Sequence, residues 1–414
     1  MPGDRRAVRI EGPVASAGVN AATDSLHRDT PGSSKIAKVE AWPVNVPLDF
    51  PYLFAIGTYR GLSHTIVRLT TDDGLVGLGE AFSWRDAAIV EALAEQIVGR
   101  RCDELRADLA GAITAPRNAY AQFEGVTTER AWAAIEIALW DIAAKAVAKP
   151  LYELFGGAVR TAVPVTEYFA YRLGTDETPE QIAAFCGRMV EEFDSPSFEG
   201  KVATMPPADE LRMLRLVRDA VGPDREIRLD GNLGWKLSTA IEWMPALHDL
   251  GISGIEEPVG TWEEMAELRK HTSIPFSAHE PDFEAQARLG VPDTFVLSVL
   301  SCGGFTRTLE TIERCRHAGV GFWFYSGEMG IATAACLHVG AAVGHVGRSQ
   351  SLLRWHADDV IEGGPTRPDG GLVQVPDGPG LGVELDEVAL QRCVERFADE
   401  GAYVIYDAPP VPRY

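Results

Sequence analysis

Basic residues are too few in this chain to form a nucleic-acid surface. It carries 38 lysines and arginines against 60 aspartates and glutamates, a formal charge of −22, whereas a phosphate backbone calls for a basic patch. The same deficit gives no attraction to anionic membranes, although a locally positive site could still hold an anionic substrate. No apolar run approaches the 18 or so residues that a membrane helix needs. Cysteine is sparse too: Cys102, Cys186, Cys302, Cys315, Cys336 and Cys393 are scattered, with no CxxC and no metal-type spacing. They are expected to be reduced packing residues of a cytoplasmic protein. Arg5-Arg6 before VASAGVNAA suggests an export signal, but Glu11 and Pro13 interrupt any apolar stretch. Residues 1–35, rich in Gly, Ala, Ser, Asp and Arg and without periodicity, are expected to form a disordered extension.

What is present suffices for a large core. With 414 residues, 46% hydrophobic, the chain can fill two domains, or one barrel with an attached layer. KIAKVEAWPVNVP and SHTIVRLTTDDGLVGLGEA read as an antiparallel meander turning at Asp72-Asp73-Gly74. Helical stretches follow, including one with Ala131, Ile135, Ala138, Leu139 and Ile142 on one stripe. Residues 36–160 are thus expected to form an α+β domain in which strands precede helices, called the capping domain below. Over 161–360 strand-like and helical runs alternate, with a Thr178/Gln181 capping box opening the first helix. Eight strand-like runs, the last near SLLRWHA, recur at intervals of about 20 to 33 residues, which predicts a (β/α) TIM-like barrel in an α/β chain. A doubly wound open sheet is the alternative, but no GxGxxG or phosphate loop follows the first strand. The turn-rich segment 361–414 is expected to return to the capping domain.

Three acidic residues end three successive strand-like runs: Asp230 in EIRLDGNLGW, Glu256 in ISGIEEPV and Glu280 in IPFSAHEP. Lys201 closes the run before them in SFEGKVA, and the four are spaced by about 24 to 29 residues, one strand, one helix and two loops. In a parallel barrel they would meet at the C-terminal ends of neighbouring strands, where such barrels carry their active sites. A lone strand-end acid is usually a helix cap; three in register with a lysine are not easily read so. Converging carboxylates repel unless a hard divalent cation neutralises them, and oxygen ligands favour Mg²⁺ or Mn²⁺. A lysine beside that cation suits proton abstraction next to a carboxylate.

The D-x-N of Asp230 and Asn232, the E-E-P of Glu256-Glu257-Pro258 and the helix AIEIALWDIAAKAVAKPLYELFGG resemble the enolase superfamily, in its mandelate racemase and muconate lactonizing branch. TEYFAY and WHADD look most like glucarate-dehydratase-like acid-sugar dehydratases. The resemblance implies Mg²⁺ binding a substrate carboxylate and stabilising the enediolate left by proton loss. It implies Asp230 and Glu256 as ligands, with Lys201 matching the second, proton-abstracting lysine of K-x-K. The third ligand falls four or five residues after the strand's proline, at His279 or Glu280. A hard cation prefers the carboxylate, so Glu280 is expected to bind it, leaving His279 as an acid or base.

Departures from the family's pattern are equally specific. Glu199 replaces the first lysine of K-x-K and should raise the pKa of Lys201. Racemases and glucarate dehydratases pair an Asp on the sixth strand with a His on the seventh; here Ser298 and Ser301 stand on the sixth, and Tyr325 and Glu328 on the seventh. EMGIATAA resembles the muconate lactonizing pattern, but Ser301 occupies the place of that subgroup's lysine. Asn232, Tyr168, Tyr325 and Arg60 are the expected substrate contacts, Arg60 lying in a loop that in this family closes over the substrate. The implied activity is dehydration of a sugar acid or related hydroxy acid, with His279, Glu328 or Tyr325 as the acid and a homo-oligomer as the usual assembly. An epimerase, a cycloisomerase and a catalytically inactive metal-binding relative are the alternatives.

Overall fold

The computed structural model describes residues 34–112, 128–325 and 328–405; the expected extension lies almost wholly outside them. Runs of β-branched residues form β1 (Ile36–Phe54), β2 (Gly57–Thr71) and β3 (Val76–Ala81), an antiparallel meander. Between β2 and β3, Thr71 Oγ1 donates to Asp73 Oδ1 at 2.5 Å and Gly74 takes a φ of +92°, open to glycine without strain. Helices α1 (Asp86–Ile97), α2 (Cys102–Ala112) and α3 (Thr128–Ala146) cover this sheet. The apolar stripe of α3 is buried, and its approach to β3 is close. A Cβ on Gly79 would stand 2.0 Å from the Ala134 carbonyl oxygen, and one on Gly77 2.2 Å from that of Ala138.

After the short α4 (Leu151–Leu154) the alternation begins: β4 (Ala162–Phe169), α5 (Pro179–Phe193), β5 (Ser197–Lys201), α6 (Pro207–Val221), β6 (Glu226–Asp230), α7 (Leu237–Asp249) and β7 (Ile252–Glu256). It continues through α8 (Trp262–Leu268), β8 (Phe276–Ala278), α9 (Phe283–Leu289), β9 (Thr294–Leu297), α10 (Val299–Cys302), α11 (Phe305–Ala318), β10 (Gly321–Phe324), α12 (Gly330–Ala342) and β11 (Ser349–Ser351). Each strand from β4 to β9 pairs in parallel with the next, and β11 pairs in parallel with β4. Gly347 N donates to Phe322 O at 3.0 Å and Phe324 N to Ser349 Oγ at 3.3 Å, bridging β10 to β11. The eight strands therefore come round into a barrel, which an open doubly wound sheet would not do.

Two local expectations need adjusting. The eighth strand is Ser349–Ser351, so SLLRWHA supplies only its first residue; Leu352, Leu353 and Trp355 bury their side chains from a turn. Thr178 caps α5 by accepting from Gln181 N at 3.3 Å, but the Gln181 side chain returns to Glu177 N, one residue before the cap.

Beyond the barrel, β12 (Leu372–Gln374) adds antiparallel to β4. Leu151 N donates to Gly380 O at 2.8 Å and Leu381 N to Asp141 at 2.7 Å. From α13 (Glu387–Glu400), Arg396 reaches the Asn45 carbonyl on β1 at 3.0 Å. The last described segment thus binds back onto the first domain. All six cysteines are buried and unpaired. Among the described residues no helix is long and apolar enough to cross a membrane.

Candidate active site

Parallel pairing sets sequence-distant residues side by side. Lys201, the last residue of β5, is the lateral partner of Asp230, the last of β6, and Asp230 is that of Glu256, the last of β7. β8 ends at Ala278, immediately before His279. The Lys201 ammonium lies on the Asp230 carboxylate, with the Tyr168 and Phe54 rings 5.4 and 5.8 Å away. Asn232, at a φ of +43°, donates its backbone N–H to Asp230 Oδ1 at 2.8 Å and its amide to Oδ2 at 3.1 Å; this local turn is what D-x-N encodes. Glu256 receives the Gln350 amide at 2.8 Å, and His279 Nε2 stands 2.9 Å from its other oxygen.

All of these groups but Tyr168 line a cavity of about 50 Å³. Tyr52, Phe54, Tyr59 and Phe82 of the capping domain close it from one side, and Ser298 just after β9, Ser301 in α10 and Tyr325 just after β10 face it across the barrel from β5. Glu328 is wholly buried just before α12. Burial pushes its carboxyl up to about 8, the Ser298 hydroxyl offsetting part of the shift.

The charges are strongly coupled. Burial favours a neutral Lys201, but Asp230, Tyr52 and Glu256 outweigh it and hold the ammonium above its ordinary range. Burial disfavours a charged His279 as well; Glu257 and Glu256 override it and raise the imidazole to about 9. Glu256 is held below the usual carboxylate value because the His279 hydrogen bond and charge exceed the effect of its burial.

Not every expected residue arrives. Glu280 is exposed at a φ of +64° and does not line the cavity. The strand ends before it, so His279 takes the inward position and Glu280 turns out. Arg60 is exposed and stacks on Tyr403, its Cζ 4.5 Å from the ring centroid, away from the cavity. Tyr168 is buried beneath Lys201 against Tyr52 and Trp355, outside the lining. Nor is Glu199 the main influence on Lys201. Its carboxylate is engaged by Arg228, its register partner on β6. Sequence reasoning missed Gln350 and the capping-domain aromatics; Gln350 stands on a three-residue strand too short to show a pattern.

The residues present fit a divalent cation. Among the described residues two triplets bring ligand atoms within 4.8 Å of one another: Glu199, Asp230 and Glu256, and Glu256, Glu257 and His279. The first offers carboxylate oxygens alone, and both Glu199 Oε1 and Gln350 Oε1 are buried without a hydrogen-bond partner. Such a donor set suits a hard cation.

A profile of the enolase C-terminal domain-like family matches residues 181–389, and one of the mandelate racemase / muconate lactonizing enzyme N-terminal domain matches residues 36–156. The chain belongs to the enolase superfamily, in this branch. This superfamily member is 29% identical over 383 residues to a chloromuconate cycloisomerase of Pseudomonas putida, covering 86% of this chain and 98% of that one. It is 27% identical over 403 residues to a probable glucarate dehydratase of Streptomyces coelicolor, covering 88% and 92%. Among solved structures, an enolase of Pseudomonas fluorescens with bound magnesium, potassium and tartrate superposes with a TM-score of 0.80 at 26% identity, covering 90% of this chain and 95% of that one.

Proposed function

We propose that this enzyme removes the proton α to a carboxylate of a small hydroxy acid, a sugar acid by preference, and expels the β-hydroxyl to give a 2-keto-3-deoxy acid. One observation carries the reading: the cavity is asymmetric. The Lys201 amine stands on one side, while the groups across the barrel are Ser298, Ser301 and Tyr325 with Glu328 buried behind them. Racemisation needs two groups that trade a proton on opposite faces of one carbon. Elimination needs one base and one acid.

A divalent cation bound among Asp230, Glu256 and their neighbours would supply positive charge that stabilises the enediolate. The rest falls to the chain's own side chains. Burial is the largest single influence on Lys201 and favours the neutral amine, so the lysine becomes a base once the pull of Asp230 is relieved. It takes the α-proton. The C–O bond at the β-carbon breaks, and the departing hydroxide takes the proton of the Ser298 hydroxyl, which lines the cavity and is resupplied by Glu328 behind it, whose carboxyl is still largely protonated near neutral pH. The resulting enol tautomerises to the keto acid. His279 stays bound to Glu256 and holds it in place.

A cycloisomerase is the second reading. It is favoured by the ammonium form in which Asp230 holds Lys201, an acid ready to protonate an enediolate, and by the cycloisomerase relative. Incubation with Mg²⁺ in D₂O against a panel of sugar acids and unsaturated diacids separates them by proton NMR and product mass. Loss of one water with a new keto acid supports dehydration. A product of unchanged mass moves the assignment to an isomerase, and no exchange with any acid favours a binding role.

A further inference from the structure

We infer that Glu199, on β5, is the third carboxylate of the metal site, in the role that Glu280 does not fill. This rests on the reading that the buried acidic cluster beside the cavity takes a divalent cation. Residues two apart on a strand share a face, so β5 turns both Glu199 and Lys201 into the barrel, where each is buried. Arg228 holds Oε2 of Glu199 and is itself fixed, its guanidinium 3.7 Å above the Trp323 ring and bonded to the Arg348 carbonyl. That anchor orients the carboxylate and leaves Oε1 buried with no donor.

A buried carboxylate oxygen without a partner is costly and calls for an explanation. Glu199 offers an oxygen within 4.8 Å of oxygens from Asp230 and Glu256, a spread that bonds of about 2.0 to 2.6 Å to one ion allow. Glu280 belongs to neither close triplet, and His279 belongs to the one that omits Asp230. The glutamate that breaks the family's K-x-K therefore adds an oxygen ligand where relatives carry a positive charge. The ligand set moves from three successive strands, β6 to β8, to β5, β6 and β7.

Calorimetric titration of the full chain with Mn²⁺ tests this. Glu199→Gln keeps the shape and removes the charge; it should weaken Mn²⁺ at least about tenfold, the lower bound even for losing an outer-shell partner. Glu280→Gln should bind as the wild type does. Magnetic resonance of the bound Mn²⁺ should report an additional water ligand in E199Q. Wild-type affinity in E199Q overturns the inference, as does loss of binding in His279→Asn with E199Q unaffected, which would put the ion in the other triplet. No Mn²⁺ binding by the wild type sinks the metal reading itself. If E199Q does not fold, Glu199→Asp, which withdraws the oxygen by one methylene, carries the same test, and unchanged affinity again overturns the inference.

Discussion

Lys201 and Asp230 are lateral partners on adjacent parallel strands, and the ammonium of one rests on the carboxylate of the other. The contact offsets negative charge in a cluster that also holds Glu199 and Glu256, all of it buried. On the proposed reading Asp230 serves both a lysine and a divalent cation. A cation engaging Asp230 would loosen its hold on the lysine, which would link metal binding to the readiness of the base through one carboxylate.

Lys201→Met should abolish proton exchange next to the substrate carboxylate, a loss of about 10²–10⁴-fold for a general base, read by NMR in D₂O. The same variant leaves Asp230 without its opposite charge, and breaking a buried ion pair costs about 3–5 kcal/mol. Its melting temperature should therefore fall in EDTA and recover with Mg²⁺ by more than the wild type gains. Full exchange activity in the variant would remove Lys201 from the mechanism.

Chelation alone should destabilise the wild type. A ligand present at a hundred times its Kd stabilises the folded state by about 2.7 kcal/mol, so thermal melts with saturating Mg²⁺ and with EDTA should separate by several degrees. Coincident melts would mean that the acidic cluster holds no cation.

The barrel and the juxtaposition of Lys201, Asp230 and Glu256 were legible because both are periodic. Alternating strand and helix runs announced the fold, and acids at strand ends one βα unit apart announced Asp230 and Glu256, since parallel register turns equal spacing into adjacency. The third acid stands away from the cavity for a local reason: β8 is three residues long and ends at Ala278, so a single residue of phase turns His279 inward in place of Glu280. Glu199 read as a departure from the family's pattern because its partner Arg228 is 29 residues on, a pairing visible only once β5 and β6 lie together. Gln350 and the capping aromatics reach the cavity through tertiary packing, which no local pattern reports.

Gly79→Ala tests how the capping domain is assembled. The added Cβ would meet the Ala134 carbonyl oxygen at 2.0 Å, and a backbone atom inside a 19-residue helix cannot swing aside. Overpacking of this kind costs about 1–3 kcal/mol and sometimes more, so the upper end is expected in urea unfolding. Gly254→Ala, whose Cβ would have no neighbour nearer than 3.6 Å, should change stability little. Equal effects in the two variants would refute the close approach of α3 to β3.

His338 should make stability fall in acid. Its Nδ1 accepts from Tyr152 N at 3.2 Å and its Nε2 donates to Leu381 O at 3.0 Å, an arrangement that only the neutral ring satisfies. Burial lowers its pKa from 6.5 to about 4. Above pH 6.5 the ring is neutral in both folded and unfolded chains and the shift has no effect. Between pH 6.5 and 4 the unfolded chain takes up a proton that the folded chain refuses, so unfolding is favoured progressively, by about 3 kcal/mol at the lower limit. His356, buried and lowered to about 3, acts in the same direction but is common to both proteins in the comparison that follows. His338→Gln, which does not titrate, should lose about 2–3 kcal/mol less than the wild type between pH 7.5 and 4.5 in urea unfolding, even if it starts from a lower stability. Parallel losses would show that the folded protein accommodates a charged imidazole at this position.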